Sequence, residues 1–271
     1  MHGVENVRFH QERTDSMSNN SISAIVITHN EEACIASCLE SLAWTDEVVV
    51  VDSGSVDRTE GICRSFLNVR FVYNAWPGYG PQKNFALSQA ANTWIISLDA
   101  DEVVSPELAR EVLETLRNPC NYNGFEIKRK NYYRNHWIRH SGWWPDAIIR
   151  VFRKNSGRFN DRIVHESVEV NGRVGYLRGV IEHRSFHGAE DFLDKALRYS
   201  VPGAAQMKQS GKRGGAVTAL VRAAATFFKI YFLKRGILDG RDGFLIAVSG
   251  AVGVFYRIIK LTELYEDTGT K

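Results

Sequence analysis

The first part of the chain alternates short apolar runs with segments of helical character. The apolar runs are rich in β-branched residues and are bounded by polar turns, so they predict strands buried on both faces of a sheet. The pattern therefore predicts an α/β fold with a mostly parallel sheet flanked by helices. The predicted strands are Ile22–Thr28, Glu47–Asp52, 70–73 and 94–98, and the predicted helices are 31–42, 56–67, 81–91 and 106–116.

The second half differs in composition. Further strands are predicted at 124–130, 148–153 and 174–183, and a helix at 189–209. Residues 132–144 form an aromatic and basic stretch with three of the six tryptophans. Two apolar helical segments fill 216–260, with a break at 236–243. The expected organisation is a flexible extension over 1–20, one large domain over 21–210, and a basic, apolar helical appendage over 211–271.

Composition excludes some classes of protein. Hydrophobic residues make up 44% and charged residues 24% of the 271 residues, which is typical of a globular chain. The formal net charge of +3 gives no argument for nucleic-acid binding. The four cysteines contain no CxxC pair, and residues 1–20 lack the apolar core of a signal peptide. We therefore expect a cytoplasmic protein, unless a later segment attaches it to a membrane.

The strongest chemical signal is Asp99-Ala100-Asp101, directly after an apolar strand. When a sugar nucleotide loses its sugar, negative charge develops on the departing diphosphate, and a divalent metal can neutralise that charge. Mg²⁺ and Mn²⁺ prefer oxygen ligands and leave room for substrate phosphates. One aspartate would face the metal while the other supports ribose or a metal-bound water. Taken alone, the pattern also fits a turn or a helix cap.

Two more polar segments follow strands of the same sheet. Residues 28–31 (THNE) end the first strand, and residues 52–55 (DSGS) end the second. Ligands of such sheets bind beyond the carboxyl ends of the strands, where carboxylates can accept hydrogen bonds from a uracil N–H or a ribose hydroxyl. Each segment alone could be a helix cap. Acidic residues at three successive strand ends favour a binding site.

These motifs, in this order, resemble those of family 2 glycosyltransferases of the GT-A fold. The similarity covers roughly residues 22–200. The closer match is the branch of lipopolysaccharide-core β-glucosyltransferases (WaaE-like), through RVFR at 150–153 and VHE at 164–166. The segments that carry the family resemblance are THNEE at 28–32, VDSGSVDRT at 51–59, QKNFA at 82–86 and DADE at 99–102.

The resemblance implies a metal-dependent, inverting transfer from a UDP-sugar, with glucose as the expected sugar, to a hydroxyl of a glycolipid or polysaccharide such as lipopolysaccharide core. Mg²⁺ or Mn²⁺ would be the cofactor. By this similarity Glu31 and Asp52 would hold the uridine, and Lys83 would reach the base or diphosphate. Asp99 would contact ribose or metal, and Asp101 would bind the metal. Further donor contacts are expected at Thr28, Asn30, Ser53 and Ala100.

The second half should supply the catalytic base, because an inverting transfer needs a carboxylate that takes the acceptor proton. The resemblance favours Glu166, and Asp146 is the alternative, with the pair Glu190 and Asp191 as further candidates. Glu166 could instead form a salt bridge with a nearby arginine. His183 is a candidate to complete the metal site, although it could equally be a core or surface histidine.

The aromatic stretch is expected to bind the acceptor. Trp143 and Trp144 could stack on sugar faces, and Arg150 is a further candidate contact. The alternative is a purely structural aromatic cluster.

The C-terminal part combines positive charge with apolar runs. Residues 208–260 contain ten Lys or Arg and two Asp, a formal charge of +8. The apolar runs at 223–228 and 244–256 are shorter than the ~20 residues that span a bilayer. The combination predicts helices that lie on an anionic membrane surface, which would make the enzyme peripheral on the cytoplasmic face of the inner membrane. A packed helical hairpin or a dimer interface is the alternative.

Three other functions are alternatives to glycosyl transfer. Residues 96–103 (ISLDADEV) fit the nucleophile motif of haloacid-dehalogenase-type phosphatases, but that motif belongs on a first strand and three strands precede it here. A nicotinamide oxidoreductase lacks support, because no GxGxxG turn follows the first strand. A membrane-docked sugar-nucleotide-binding scaffold without catalysis is the third, and the intact acidic residues disfavour it.

Overall fold

The structure is a computed structural model, and it describes residues 21–160, 167–186 and 188–267. Internal contacts divide the chain into two compact units. In the described residues, the sheet unit comprises 21–128, 147–160 and 167–181, and the helical unit comprises the remainder. The predicted N-terminal extension, residues 1–20, lies outside the described residues.

The observed strands extend the predicted pattern. They are β1 (Ile22–Thr28), β2 (Glu47–Asp52), β3 (Val69–Tyr73), β4 (Trp94–Asp99), β5 (Glu102–Val104), β6 (Tyr122–Tyr133), β7 (His136–Trp137), β8 (Asp146–Arg153), β9 (Gly157–Phe159), β10 (Val168–Val170) and β11 (Arg173–Phe186). The α-helices are α1 (Ile35–Ser41), α2 (Thr59–Arg64), α3 (Tyr79–Gln89), α4 (Pro106–Arg117), α5 (Ala189–Gln209), α6 (Ala216–Phe228) and α7 (Gly240–Glu266).

The main sheet has the strand order β3-β2-β1-β4-β8-β6-β11-β5. β1 pairs in parallel with β2 and β4, and β2 pairs in parallel with β3. β4 pairs with β8 in the antiparallel direction, so the sheet is mixed and the predicted parallel arrangement holds for its first four strands. The predicted α/β class, with helices beside the sheet and a helical C-terminal part, is confirmed.

The parallel strands bury both faces, as their composition predicts. Alternate residues such as Val48 and Val50 pack into one apolar cluster, whereas Val49 and Val51 pack into another. Successive side chains of a strand point to opposite faces, so a continuous run of valines fills two layers of core at once. This packing fixes the position of the strand ends that carry the polar segments.

Two predicted helices begin later than the sequence indicates. The first was expected at 31–42 and is α1, which starts at Ile35, because residues 31–34 form a turn in which the Glu31 carbonyl accepts hydrogen bonds from the N–H groups of Cys34 and Ile35. The second was expected at 56–67 and is α2. In both cases polar loop residues bond to each other instead of continuing a helix.

The helical unit is built around α7, which contacts both α5 and α6. The predicted boundary after residue 210 does not coincide with the division by contacts, because α5 packs on α7 and belongs with the helices that follow. The change of composition near residue 211 precedes α6, whose apolar residues are mostly not buried.

The C-terminal helices are longer than the apolar runs that suggested them. A π-helical turn over Lys229–Leu233 continues α6, and a 3₁₀ turn over Gly236–Asp239 leads into α7. Two segments, Ala216–Leu233 and Gly236–Glu266, are long and apolar enough to cross a membrane by length and composition. The expectation that neither segment reaches that length is corrected, because helix continues beyond each apolar run.

Candidate active site

The loop after β2 is organised by the buried carboxylate of Asp52. Its Oδ1 accepts hydrogen bonds from the N–H groups of Gly54 and Ser55, both at 2.8 Å, and its Oδ2 accepts one from the Ser55 hydroxyl at 2.5 Å. Gly54 has a φ of 97°, which a side chain at this position would disfavour. Asp52 therefore shapes the loop, and its predicted contact with uridine would have to coexist with these bonds.

The loop after β1 is joined to the Asp52 loop. The N–H of Asn30 donates to the Ser55 hydroxyl at 2.8 Å, and Asn30 Oδ1 accepts from the N–H of Val56 at 2.8 Å. Asn30 has a φ of 56°, a left-handed conformation that asparagine tolerates better than most residues. The N–H of Glu31 donates to Thr59 Oγ1 at 2.9 Å. Two loops from neighbouring strands thus form one polar surface at the sheet edge.

Thr28 and Ser53 lie at the same edge. Strand register pairs Thr28 with Asp52, and Ile27 of the same strand with Asp99, so the predicted alignment of the three strand ends is confirmed. The Thr28 hydroxyl is buried and has no hydrogen-bond partner among the described residues. The Ser53 hydroxyl accepts from Gln82 Nε2 at 3.1 Å. A buried hydroxyl without a partner is costly, which is a reason to expect a ligand beside Thr28.

The motif at residues 99–102 occupies the turn between β4 and β5. The Asp99 carboxylate binds two cations: Oδ1 lies 2.8 Å from Lys83 Nζ, and Oδ2 lies 2.7 Å from a terminal guanidinium nitrogen of Arg150. The same nitrogen lies 2.6 Å from Glu102 Oε1, and Glu102 Oε2 accepts from the Asp99 N–H at 3.0 Å. Two carboxylates and two cations therefore form one cluster, in which Lys83, Glu102 and Arg150 are buried and Asp99 is partly exposed.

Different elements deliver the two cations. α3 turns Gln82, Lys83 and Ala86 towards the interior, because residues three and four apart share one face of a helix. Asn84 on this helix exchanges two hydrogen bonds with the backbone of Phe159 in β9, at 2.8 and 2.9 Å. Arg150 reaches the cluster from β8, which pairs with β4.

Electrostatics keeps Asp99 ionised at neutral pH. Burial acts to raise the pKa of Asp99, but the charges of Arg150 and Lys83 outweigh it and hold the pKa well below its usual value. For Arg150, burial acts to lower the pKa, and the carboxylates of Asp99 and Glu102 raise it further than burial lowers it. Asp99 and Arg150 therefore form a charged pair.

Several predicted site residues have definite places in this geometry. Arg150, expected to contact the acceptor, is buried between Asp99 and Glu102, and its acceptor role stays a prediction. Ala100 is buried in the apolar core, and Asp101 is half-buried in the turn. Glu102 ends the DADE segment at 99–102, but no role was predicted for it from the sequence. Its position directly after Asp99-Ala100-Asp101 was the one feature that could have indicated a role.

Glu102→Gln tests whether this cluster is held by charge. Removing one carboxylate from a fully buried ion pair leaves the Arg150 charge partly uncompensated, and we expect the free energy of unfolding to fall by about 3–5 kcal/mol. Urea denaturation measures the change. The matched control is Glu60→Gln, which breaks an exposed pair with Arg64 and should cost less than about 1 kcal/mol. Equal stability of the two variants would contradict the interpretation.

The helical unit carries a second polar group, centred on Asp146. Asp146 Oδ2 accepts from Arg129 Nε at 2.9 Å and from Asn131 Nδ2 at 3.0 Å. Asn131 Nδ2 also donates to the Trp143 carbonyl at 3.2 Å, and Asn131 Oδ1 lies 2.7 Å from His183 Nδ1. Arg129 and Asn131 were not predicted, because nothing in their local sequence marks them.

This network determines the tautomer of His183. Both partners of the Asn131 amide nitrogen are acceptors, so that nitrogen must donate and the amide oxygen must face His183. His183 Nδ1 is then the donor, which leaves the lone pair of the neutral ring on Nε2. The predicted role of His183 in the metal site stays a prediction. Among the described residues, no group of three or more His, Cys, Asp or Glu forms a ready metal site.

The predicted acceptor-binding tryptophans lie in different surroundings. Trp143 is half-buried against Phe186 and Phe192, with ring centroids 5.1 and 6.0 Å away. Trp144 packs edge-on against Trp137 at 5.2 Å, and the Trp137 ring also carries the Arg139 guanidinium at 4.4 Å. Trp143 thus has the contacts of a structural cluster, and the role of both tryptophans in acceptor binding stays a prediction. Glu166, the favoured base, lies outside the described residues.

Comparison with known proteins identifies the family. The model of the family described as glycosyl transferase family 2 matches residues 23–184, which contain every motif at the sheet edge. The chain belongs to glycosyl transferase family 2. This glycosyltransferase is therefore an enzyme, and the resemblance seen in its sequence is confirmed. The phosphatase, oxidoreductase and scaffold alternatives are set aside, and the architecture is that of a GT-A type α/β fold with a helical C-terminal part.

Relatives of this glycosyltransferase align over most of their length. The lipopolysaccharide core biosynthesis glycosyltransferase LpsC of Rhizobium meliloti (strain 1021) is 32% identical over 89% of this chain and 92% of the relative. An uncharacterized glycosyltransferase of Rickettsia typhi is 33% identical over 90% and 87%. A crystal structure of S. aureus TarS 1-349 in complex with UDP-GlcNAc has a TM-score of 0.48 and 16% identity, covering 91% of this chain and 92% of that one.

Proposed function

We propose that this glycosyltransferase transfers a sugar, with glucose as the expected one, from a UDP-sugar to a hydroxyl of a glycolipid or polysaccharide acceptor such as lipopolysaccharide core. The transfer is metal-dependent and inverting. The observation that carries the proposal is the convergence of Lys83 and Arg150 on Asp99, next to Asp101 at the carboxyl edge of the sheet. A fixed carboxylate beside a second one suits a diphosphate-bearing donor and its metal.

The proposed binding of the UDP-sugar donor is supported by the polar loops at the sheet edge. Asp52 and Glu31 belong to loops that are bonded to each other, and the buried Thr28 hydroxyl lacks a partner among the described residues. Lys83 Nζ lies 2.8 Å from Asp99 Oδ1, and in the proposed complex Asp99 orients the Lys83 ammonium towards the diphosphate. Ser53, Asn30 and Ala100 border the same edge.

The proposed metal ligand is Asp101. The family resemblance assigns Asp101 to direct binding of Mg²⁺ or Mn²⁺, whereas both oxygens of Asp99 are in ion pairs with Lys83 and Arg150. One or two carboxylates are enough for such a site, because substrate phosphates and water complete the coordination. When bound, the metal neutralises negative charge on the departing diphosphate. His183 stays a candidate ligand on the evidence of the sequence alone.

One candidate for the base that takes the acceptor proton, Asp146, belongs to the helical unit. Asp146 has one oxygen held by Arg129 and Asn131, while no described residue donates to its Oδ1. A carboxylate anchored by one oxygen can take a proton with the other, so Asp146 has the geometry of a base. Glu166 remains the candidate favoured by the family resemblance. LpsC, a relative of this chain, is named for lipopolysaccharide core biosynthesis, which supports a saccharide acceptor of that type.

The proposed location is the cytoplasmic face of the inner membrane, with the enzyme bound peripherally. The apolar segments Ala216–Leu233 and Gly236–Glu266 are only 6% and 28% buried over their most apolar windows, so much of their surface lacks a protein partner. The stretch 208–260, which contains most of both segments, carries a formal charge of +8, and this charge suits anionic lipids. A lipid-linked acceptor would be available at the same surface.

A thermal-shift measurement tests the donor and metal proposals together. UDP at about 100 times its Kd, with Mn²⁺ or Mg²⁺, should raise the free energy of unfolding by about 2.7 kcal/mol and Tm by about 5–10 °C. UDP without metal should raise Tm less, and NAD should have no effect. Stabilisation by NAD with none from UDP would contradict the proposed donor.

A further inference from the structure

The junction between α6 and α7 exposes an unusual amount of apolar surface. We call residues 228–244 the hairpin turn. Ring contacts link its aromatic residues: Phe232 lies 5.0 Å from both Phe228 and Tyr231, and Tyr231 lies 5.8 Å from Phe244. Apolar side chains that expose 47–70% of their surface are concentrated here, and such a concentration indicates an interaction site. These side chains are Phe228, Phe232, Leu233, Ile237, Leu238 and Phe244.

The exposed charge of the hairpin turn is entirely positive. Its exposed ionisable residues are Lys229, Lys234, Arg235 and Arg241. The two acids of the turn point elsewhere: Asp239 is buried, and Asp242 binds His136 Nδ1 at 2.8 Å. Apolar side chains ringed by cations fit the boundary of an anionic bilayer, where the rings enter the acyl region and the cations meet lipid phosphates.

Asp239 joins the hairpin turn to the segment 136–144, which we call the aromatic loop. The buried Asp239 carboxylate accepts from the N–H groups of Arg139 and His140 at 3.2 and 3.0 Å and from the Ser141 hydroxyl at 3.2 Å, and it lies 2.9 Å from His140 Nδ1. The N–H of Ser141 donates to the Lys234 carbonyl at 2.9 Å. Four contacts on one buried carboxylate leave little freedom between the two segments.

A glycine at the junction makes this close approach possible. A Cβ on Gly236 would lie 2.9 Å from both the Ile230 carbonyl oxygen and Ser141 Oγ, which is too close for a normal contact. The aromatic loop ends at Trp144, two residues before Asp146. The turn and the loop are thus closely packed and hydrogen-bonded to each other within the helical unit.

We propose that the hairpin turn is a docking site for an anionic lipid bilayer, and that Asp239 is a positioning residue that holds the aromatic loop at the lipid surface. The inference rests on the proposed function in one respect, since a glycolipid acceptor gives the loop a reason to be there. The occupant is a bilayer rather than a second copy of the chain, because like-charged turns with four cations each would repel.

Vesicle sedimentation of the full chain tests the docking site. Phosphatidylglycerol vesicles at low salt should bind the protein, and phosphatidylcholine vesicles should not. Leu233→Ser with Leu238→Ser should weaken binding about tenfold or more, and Lys234→Ala with Arg235→Ala should weaken it about tenfold or more in a salt-dependent way. The matched control is Leu67→Ser with Tyr176→Ser, which removes two apolar side chains of the sheet unit that are even more exposed, and it should leave vesicle binding unchanged.

Tryptophan fluorescence tests the position of the aromatic loop. The hairpin turn contains no tryptophan, so quenching by brominated phosphatidylglycerol reports on other segments. We expect quenching in the wild type, and its loss in Trp137→Phe with Trp144→Phe. Asp239→Asn should keep vesicle binding and lose most of the quenching. Undiminished quenching in both variants would overturn the positioning role.

Two results would overturn the docking site itself. One is a protein that ignores anionic vesicles at low ionic strength, and the other is a dimer that dissociates in the Leu233→Ser and Leu238→Ser variant, which would make the turn an interface between copies. These vesicles contain neither donor nor acceptor. Stabilisation by UDP without vesicle binding would therefore refute only this inference, whereas vesicle binding without stabilisation by UDP would refute the proposed donor instead.

Discussion

Asp101→Ala should abolish metal-dependent UDP binding and lower sugar transfer by about 10³-fold or more, because the metal contributes several kcal/mol of charge stabilisation. Asp101 is half-buried in a turn and adds little to the core, so the fold should persist. Thermal shift with UDP and Mn²⁺ measures binding, and release of UDP in the presence of acceptor measures transfer. The prediction separates Asp101 from Asp99, whose loss would disturb the cluster with Lys83 and Arg150.

The matched control for Asp101→Ala is Glu107→Ala, which removes an exposed carboxylate from the first turn of α4. It should bind UDP and transfer sugar normally. If Asp101→Ala itself transfers sugar normally, residues 99–101 do not bind a catalytic metal and form only a turn or a helix cap. A variant that unfolds would be recognised by its far-ultraviolet circular dichroism before activity is compared.

Glu166→Gln should lower transfer by about 10²–10⁴-fold while the affinity for UDP and metal persists, because general base catalysis contributes about that much. Glutamine keeps the size of the side chain and most of its hydrogen bonding, but it cannot accept the acceptor proton. The measurement is kcat for transfer, with thermal shift by UDP as the test of donor binding. Loss of UDP binding would assign Glu166 to the donor site.

Asp146→Asn is the matched comparison for the base. If Glu166 is the base, Asp146→Asn should change transfer far less than Glu166→Gln does, since asparagine can still accept from Arg129 and Asn131. Active Glu166→Gln combined with inactive Asp146→Asn would move the base to Asp146. The comparison is informative because Asp146 Oδ2 accepts hydrogen bonds from Arg129 and Asn131, whereas Oδ1 has no donor among the described residues.

The sequence predicted the framework of the sheet well. Runs such as Glu47–Asp52 can bury both faces only in the middle of a sheet, and parallel strands align their carboxyl ends. Thr28, Asp52 and Asp99 were therefore expected at one edge, and the strand register places them there. Helix α4 was also predicted from the sequence, because Ser105 caps it and Pro106 begins it.

The structure of the C-terminal part was predicted only in part from the sequence. Apolar runs identify the helices, but their ends depend on the backbone, and the turn of π-helix after α6 lengthened the first segment beyond its apolar run. The direction of β8 was left open, because an antiparallel strand has the same apolar character as a parallel one. Composition reports burial and says little about strand direction.

What the sequence by itself determined was the family, the order of the acidic strand ends and the basic, apolar character of the C-terminal helices, since all three depend on residues close together in the chain. Only the tertiary structure decided that Lys83 and Arg150 meet on Asp99, and that Asp239 holds a loop about a hundred residues earlier in the chain. Such contacts join residues distant in the chain, and their partners become neighbours only when the strands and helices that carry them have packed.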